Sequence, residues 1–450
     1  DVDWTLDTAT MGTAVNVADA THRVEFDLIE EFIGGTGNDT FILSAGVTSV
    51  ASITGGAGVN TLDLQAAGAN QSVTLTALGT GGVGFAGNTS GAGALVVTAF
   101  DNVTNVLANV ANTNTLTGAD VDSGWSLTGS TGSVTAVTSN LSFTDFDSLV
   151  GGTADDTFGV TADTTVDITT DAATGGTGVD TVTVDANVTL TLATAALDLG
   201  EGADSVTIGA DGAIDGQDLQ GGVGADTFTL NDGATIAGDV DGGADVDILD
   251  FGNYATARDI TLTAADTDGF DGTEAAITGG NSFLNIDTIT GSSAATDMLT
   301  GLDGTDGLWI LKAANVYEEQ GVDKQQLTFT ELEQLTAAED RTDTFRIGVG
   351  TTDVTSVDGN NTGATTFDTL EGRLGTDAFV LTGTDAGTVN GSTTFQDIQS
   401  IDGRDGADSF TIQTAGRLTR TLTGGLGDDT LIGPATGSTF TVSAADAGDL

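Results

Sequence analysis

The chain has 450 residues, of which 66 are Asp or Glu and 10 are Lys or Arg, and its formal net charge is −56. This excess of carboxylates excludes nucleic acid as a partner, because phosphate binding needs clusters of basic side chains. The absence of cysteine excludes disulfides and thiolate metal sites. No apolar run reaches the length of a membrane span, so we expect no membrane insertion.

Short glycine turns recur along the chain, each followed by an acidic residue and an alternating, strand-like tail such as Thr227-Phe228-Thr229-Leu230. The clearest copies start at Gly34, Gly175, Gly221 and Gly424. Weaker copies start at Gly55, Gly151, Leu199, Gly242, Gly301, Gly372 and Gly403. Close neighbours share a spacing of about 21 to 24 residues, a period typical of repeat architectures. Two longer gaps, from Gly55 to Gly151 and from Gly301 to Gly372, are near multiples of that spacing.

A unit of this length cannot enclose its own core and must stack on its neighbours. The sequence therefore predicts an all-β fold, an elongated parallel β-solenoid (β-helix or β-roll type) with coils of about 21 to 24 residues. We expect one continuous repeat array over residues 1–450, with the most regular coils in 151–250 and a second regular block in 403–433.

A second signature consists of a Phe followed by apolar residues three and six positions later. It occurs at Phe26, Phe100, Phe143, Phe283, Phe329, Phe367 and Phe395, the sixth copy carrying one extra residue. These copies form a longer super-repeat that is interleaved with the glycine turns.

Residues 313–341 differ from the rest of the chain. Tyr317, Lys324 and several Glu residues concentrate there, so we expect a short helix or an irregular insertion.

The Gly-Gly-x-Gly-x-Asp-x-(apolar)-x turns resemble the nonapeptide of hemolysin-type, or RTX, calcium-binding proteins, a parallel β-helix repeat. The resemblance implies Ca²⁺ bound between stacked turns by Asp carboxylates and glycine carbonyls. Unlike the family's tandem repeats, the copies stand alone, one in each coil. By this resemblance the metal ligands are Gly35, Asp39, Asp156, Gly176, Asp180, Asp204, Gly222, Asp226, Asp247, Asp408, Gly425 and Asp429.

A physical argument also favours a cation. Carboxylates stacked about 4.8 Å apart repel each other by nearly 1 kcal/mol per pair even in water, and the few basic residues cannot neutralise such columns. Asp and carbonyl oxygens are the ligands that Ca²⁺ prefers. The alternative is that each Asp only forms turn hydrogen bonds and keeps the protein soluble.

No arrangement of residues indicates catalysis. His22 is the only histidine, and no nucleophile motif accompanies it. We therefore expect a non-catalytic, extracellular, calcium-stabilised segment of a bacterial surface fibre, adhesin, matrix or surface-layer protein, with end-to-end or lateral self-association.

Two alternatives remain open. One is a carbohydrate- or surface-binding module whose contact site includes residues 313–341, Trp309 and Tyr317. The other is the RTX secretion portion of an exported toxin or enzyme.

Overall fold

The computed structural model describes residues 1–8, 10–91, 95–170, 176–294, 296–321, 324–339, 341–348, 350, 353–361 and 366–435. All regular structure in these residues is β-strand, with no helix among them. The chain divides into two compact units, Asp1–Asp245 and Val246–Leu450.

The described strands of the first unit are short, and most pair in parallel. They are β1 (Val2–Leu6), β2 (Gly12–Asn16), β3 (Arg23–Phe26), β4 (Glu31–Gly35), β5 (Thr40–Leu43), β6 (Ser49–Gly56), β7 (Thr61–Asp63), β8 (Ser72–Leu78), β9 (Phe85–Ser90), β10 (Val96–Val103), β11 (Asn105–Leu107), β12 (Thr115–Thr117), β13 (Ser123–Thr128), β14 (Thr131–Ala136), β15 (Ser139–Thr144), β16 (Ser148–Val150), β17 (Asp156–Ala162), β18 (Thr164–Thr165), β19 (Asp167–Thr169), β20 (Thr181–Val184), β21 (Thr189–Thr191), β22 (Leu197–Asp198), β23 (Ser205–Ile208), β24 (Ala213–Asp215), β25 (Leu219–Val223), β26 (Thr227–Leu230), β27 (Thr235–Ala237) and β28 (Val240–Ala244).

The described strands of the second unit follow the same pattern. They are β29 (Ile248–Asp250), β30 (Asp259–Ala265), β31 (Phe270–Thr273), β32 (Phe283–Ile286), β33 (Thr288–Thr290), β34 (Met298–Thr300), β35 (Gly307–Leu311), β36 (Asn315–Glu319), β37 (Gln326–Thr330), β38 (Gln334–Thr336), β39 (Thr344–Ile347), β40 (Ser356–Asp358), β41 (Thr369–Glu371), β42 (Ala378–Gly383), β43 (Ala386–Val389), β44 (Thr393–Gln396), β45 (Ser400–Asp402), β46 (Ser409–Ile412), β47 (Leu422–Thr423) and β48 (Thr430–Ile432).

The parallel ladders are most regular between β17 and β28. There, Phe158, Val182, Val206 and Phe228 are paired in successive strands, each one predicted repeat after the last. A second parallel ladder runs from β18 through β21 and β24 to β27, and a third from β19 through β22 and β25 to β28. The spacing predicted from the glycine turns is therefore the register of these ladders.

Burial alternates along the strands, as expected where one face of a sheet covers a core. In β26, Phe228 and Leu230 are buried, whereas Thr227 and Thr229 are partly exposed. The β-branched Thr residues suit the outer face of a strand. Phe41, Phe158, Phe379 and Phe410, each two positions after an Asp like Phe228, are also buried.

Six antiparallel, three-stranded meanders interrupt the parallel pairing of the described strands; below, each repeat of the parallel pattern is called a coil. They are β1–β3, β8–β10, β13–β15, β30–β32, β35–β37 and β42–β44. The first strand of each meander pairs in parallel with a strand of the following coil. The long gap between the glycine turns at Gly55 and Gly151 contains two meanders, so longer coils explain it better than a series of plain ones.

The Phe super-repeat marks these meanders. Six of its seven Phe residues lie in the third strand, and in five meanders the ring packs against a glycine of the middle strand. The five pairs are Phe26 with Gly12, Phe100 with Gly87, Phe143 with Gly132, Phe283 with Gly272, and Phe395 with Gly387. Phe367 lies outside the meanders, where the Arg420 guanidinium lies 3.4 Å from its ring centroid.

Each of the six Phe residues in the third strands of the meanders is followed, two positions later, by a non-glycine residue in the left-handed region. These residues are Leu28, Asn102, Asp145, Asn285, Glu331 and Asp397, with φ between 51° and 60°. A left-handed residue turns the chain sharply, so it separates the third strand from the strand that follows.

The described part of residues 313–341 contains strands β36, β37 and β38, where we expected a short helix or an irregular insertion. Its charged residues lie on both sides of an ordinary meander: Lys324 and Glu331 are exposed, whereas Glu319 and Glu333 are buried. Gln326 donates to the carboxylate of the partly exposed Glu318 at 2.6 Å. Trp309 and Tyr317 are fully buried, so neither ring is available on a contact surface.

Candidate metal centre

The aspartates predicted as ligands are buried, with one exception. Asp39, Asp156, Asp180, Asp204, Asp226, Asp247 and Asp408 are each at most 2% exposed. Asp429, in the last described turn, is exposed. Burial of a carboxylate is costly unless its oxygens find donors or a cation.

The buried aspartates stack in columns joined by hydrogen bonds between successive coils. The main-chain N–H of Asp156 donates to Oδ1 of Asp180, that of Asp180 to Oδ1 of Asp204, and that of Asp204 to Oδ1 of Asp226, each at 2.7 Å. In the second unit, Asp377 donates in the same way to Asp408 at 2.7 Å, and Asp408 to Asp429 at 3.0 Å. One oxygen of each accepting carboxylate thus continues the strand ladder through the turn.

The first glycine of the motif makes room for the other carboxylate oxygen. A Cβ added at Gly34 would collide with Oδ2 of Asp39 and with the carbonyl oxygen of Gly55. The same collision, with the Asp five positions later and with a carbonyl of the following coil, would occur at Gly221 and Gly403. The glycine is therefore required because Oδ2 and a carbonyl oxygen approach the backbone there.

The second residue of the motif sets the direction of the next peptide. Gly35, Gly222 and Gly425 have φ of 141°, 108° and 102°. Residues that carry a side chain rarely adopt these backbone conformations. The carbonyl of Gly35, one of the predicted ligands, accepts an N–H from Ala57 at 2.8 Å. Gly176 is buried, and its neighbour Gly175 lies outside the described residues.

Some copies supply a donor to Oδ2 from the second residue. The N–H of Gly152 donates to Oδ2 of Asp156 at 2.5 Å, and that of Arg373 to Oδ2 of Asp377 at 2.6 Å. In two copies the second residue has a positive φ instead, Gly35 before Asp39 and Arg404 before Asp408. Oδ2 of Asp39 and Oδ2 of Asp408 have no hydrogen-bond partner among the described groups.

Asparagine occupies the same column position in two copies of the repeat. Asn60 accepts the N–H of Asp39 through Oδ1, while its Nδ2 donates to the carbonyl of Asn102 at 3.1 Å. Asn114 accepts the N–H of Gln71, and its Nδ2 donates to the carbonyl of Asn109 at 2.9 Å. In the Asn copies, the amide nitrogen Nδ2 therefore faces carbonyl oxygens. In the Asp copies, the carboxylate oxygen Oδ2 takes the place of that nitrogen.

Burial raises the pKa of several column carboxyls. It raises the pKa of Asp156 and of Asp226 to about 6, and it raises the pKa of Asp180 and Asp408 as well. The cause is loss of solvation, which disfavours the charged form. Neighbouring carboxylates add to the effect at Asp408, where Asp377 and Asp429 raise the pKa further.

At Asp377, an arginine of the same turn supplies the positive charge. Arg373 occupies the second position of the motif, and its Nε lies 2.8 Å from Oδ1 of Asp377. The column position therefore accepts a cation where the sequence provides one.

The columns include aspartates that were not among the predicted ligands. They are Asp297, Asp343, Asp368 and Asp377, all at most 1% exposed. Asp343 donates its N–H to Oδ1 of Asp368 at 2.7 Å. The signal that finds three of them is the tail after the turn: Asp-Thr-Phe at Asp343, Asp-Thr-Leu at Asp368 and Asp-Ala-Phe at Asp377.

Within the described residues, no three acidic or histidine side chains converge as a metal-ligand group. A cation in a column would therefore take most of its ligands from main-chain carbonyls, with one carboxylate oxygen. That oxygen-only donor set fits Ca²⁺. The imidazole of His22 lies 2.9 Å from the Asp19 carboxylate, and both side chains are exposed.

No helix in the described part of the chain is long and apolar enough to cross a membrane. Comparison with known proteins gives no match, either to a family model or to a curated protein.

Proposed function

We propose that this chain is a non-catalytic structural segment of the β-solenoid type, stabilised by Ca²⁺ and belonging to an extracellular bacterial surface fibre, adhesin, matrix or surface-layer protein. The regular parallel register, in which each coil pairs with the next at the repeat spacing, supports the solenoid. A stack of this kind builds long ladders from short units, which suits a mechanical role better than catalysis.

The comparison between Asn60 and Asp39 carries the calcium proposal. At Asn60, an amide nitrogen donates to the carbonyl oxygen that faces it. At Asp39, Oδ2 lies at the equivalent position beside Gly34 and the carbonyl of Gly55. Two oxygens that face each other in a buried site repel unless a proton or a cation lies between them.

Outside the cell, Ca²⁺ can supply that positive charge where the sequence provides no basic side chain. The ligands would be Oδ2 of the column aspartates together with turn carbonyls, and the copies of Asp39 and Asp408 are the best candidates. A net charge of −56 opposes compaction until such ions bind. The extracellular location is proposed from this need for an abundant divalent cation and from the lack of cysteine.

Thermal unfolding followed by circular dichroism in EDTA and in excess CaCl₂ tests this function. We expect a higher midpoint in CaCl₂, since a ligand that binds only the folded state stabilises it, and a smaller effect of MgCl₂. The same midpoint in EDTA and in CaCl₂ would contradict the proposal. Isothermal titration of the folded protein with CaCl₂ would then show no heat of binding.

A further inference from the structure

Four column aspartates have a hydrogen-bond donor on each of their two carboxylate oxygens. They are Asp156, Asp297, Asp368 and Asp377, and each is at most 1% exposed. We refer to them as the closed positions. A buried carboxylate whose two oxygens already accept hydrogen bonds has its charge stabilised by the protein itself. The closed positions therefore do not need a cation from solution.

Asp156 is closed by its own turn and by strand β13. The hydroxyl of Ser123 donates to Oδ1 of Asp156, and the N–H of Gly152 donates to Oδ2 at 2.5 Å. The Ser123 hydroxyl also accepts the indole N–H of Trp125 at 2.9 Å, so its own proton is directed to the carboxylate. Asp156 is one of the predicted metal ligands, but donors of the protein are already bound to both of its oxygens.

At Asp297, a single serine reaches both oxygens. The N–H of Ser292 donates to Oδ2 at 2.5 Å, and its hydroxyl donates to Oδ1 at 2.8 Å. Oδ1 also accepts the N–H of Arg258 at 2.6 Å. Ser292 is the second residue of its turn, the place of Gly35 in the first copy. The residue and the conformation at this second place therefore decide whether Oδ2 has a donor.

Side-chain amides and an arginine close the other two positions. Asn361 donates through Nδ2 to Oδ2 of Asp368 at 2.7 Å, while Oδ1 accepts the main-chain N–H of the preceding coil. At Asp377, the N–H of Arg373 donates to Oδ2 at 2.6 Å. Oδ1 of Asp377 accepts from Nε of Arg373 at 2.8 Å and from Nδ2 of Asn390 at 2.7 Å. Different parts of the chain thus give the same result.

Asp39 and Asp408 are the opposite case, and we refer to them as open positions. Oδ1 of each accepts one main-chain N–H at 2.7 Å. Oδ2 of each is buried without a donor among the described groups. Beside it, at the first glycine of the turn, lies a carbonyl oxygen of the following coil. Two facing oxygens without a proton between them form the kind of donor set that Ca²⁺ prefers.

We infer that metal ions bind in the columns only at open positions, and that the donors at the closed positions exclude them. This inference rests on the proposed function and specifies which of its turns hold Ca²⁺. An N–H or O–H proton that points at a carboxylate oxygen carries positive charge and repels a cation there. Displacing the donor would leave a buried polar group unpaired, which is costly. The requirement for calcium is therefore local.

Counting the ions bound at saturation, by isothermal titration with CaCl₂, tests the inference. Asp39→Asn and Asp408→Asn should each lower the number by one, because an amide donates to the facing carbonyl as Asn60 does. Asp156→Asn and Asp297→Asn are the matched controls, since they make the same change at equally buried closed positions. Both should keep the wild-type number. Circular dichroism shows whether each variant retains its β spectrum.

Hydrogen exchange of the wild type gives the same information without a substitution. The amides of residues 34–39 and 403–408, around the open positions, should exchange several-fold more slowly in CaCl₂ than in EDTA. The amides of residues 151–156 and 373–377, around closed positions, should exchange at the same rate in both. Short exchange times are needed, since they report local opening rather than global unfolding.

The two measurements separate this inference from the proposed function. A wild type that binds no ion and exchanges equally in EDTA and CaCl₂ contradicts both. A wild type that binds ions, but loses one in Asp156→Asn or Asp297→Asn, overturns the inference alone. The same conclusion follows if Asp39→Asn and Asp408→Asn keep the wild-type number, or if calcium slows exchange at residues 151–156 as much as at residues 34–39.

Discussion

The main-chain N–H of Asp180 donates to Oδ1 of Asp204 at 2.7 Å, although the two residues belong to successive coils of the chain. The bond shows that each turn uses a side chain to continue the strand ladder into the next coil. The acceptor in this arrangement is a buried carboxylate, so the same contact that aligns the coils concentrates negative charge inside them.

Replacing Asp408 by Asn removes a buried charge from the column. We expect Asp408→Asn to raise the unfolding midpoint in EDTA, because burial and two neighbouring carboxylates disfavour the charged form, and because an amide can donate to a facing carbonyl as Asn60 does. Its response to CaCl₂ should shrink. Asp428→Asn is the control, because it removes the same charge from an exposed side chain. It should leave the unfolding midpoint in EDTA and the response to CaCl₂ close to wild type.

The stability of the calcium-free protein should fall as pH rises. Burial raises the pKa of Asp343 to about 8 and that of Asp368 to about 7. The folded state therefore holds more protons than the unfolded chain between about pH 4 and pH 8, so the free energy of unfolding decreases across this window. Chemical denaturation in EDTA at several pH values measures the slope.

Asp343→Asn should flatten that slope between about pH 6 and pH 8, where the folded-state carboxyl loses its proton. Asp303→Asn changes an exposed carboxylate and should leave the slope unchanged. A wild-type stability that rises through this range would show that the buried carboxyls are stabilised as anions.

Gly132 has no room for a side chain. A Cβ there would collide with the Phe143 ring, so we expect Gly132→Ala to destabilise the protein by about 1–3 kcal/mol, the usual cost of overpacking. Gly124, in the adjacent strand, has nothing within 4 Å of the same position. Gly124→Ala should be neutral or slightly stabilising in urea denaturation, and equal effects of the two variants would contradict the packing argument.

Arg373 acts as a built-in cation for Asp377. We expect Arg373→Gln to lower the unfolding midpoint in EDTA and to enlarge the difference between EDTA and CaCl₂, because the carboxylate then needs an ion from solution. Arg23→Gln removes an ion pair between exposed side chains, and such pairs contribute little. It should leave the difference unchanged, and a similar loss in both variants would assign the effect to general charge.

The periodic features of the chain were accessible from sequence. Spacing of the glycine turns predicted the register that pairs Phe158 with Val182 and Val182 with Val206, because a fixed repeat length is what a parallel ladder requires. The position of most column aspartates followed for the same reason. Their burial could not be predicted, because the exposure of a side chain depends on the neighbouring coil, and the sequence of a single repeat does not specify that neighbour.

The meanders were visible only as a Phe signature without a structural meaning. Phe143 and Gly132 are distant in sequence, and only the antiparallel pairing of β14 with β15 brings them together. Likewise Tyr317 was assigned to a helical or irregular segment because its neighbours are charged. Those neighbours lie on a regular strand in which Glu318 is partly exposed and Glu319 is buried, and its alternation of buried and partly exposed residues is too short to be recognised in the sequence.

The meanders leave the parallel register intact on both sides, and this has a use in engineering. The turn at Val137, where β14 passes into β15, is exposed and lies outside the strands that align the coils. Loops of this kind tolerate added length at small entropic cost. A foreign peptide grafted there would be displayed outward while the layers beneath keep their spacing.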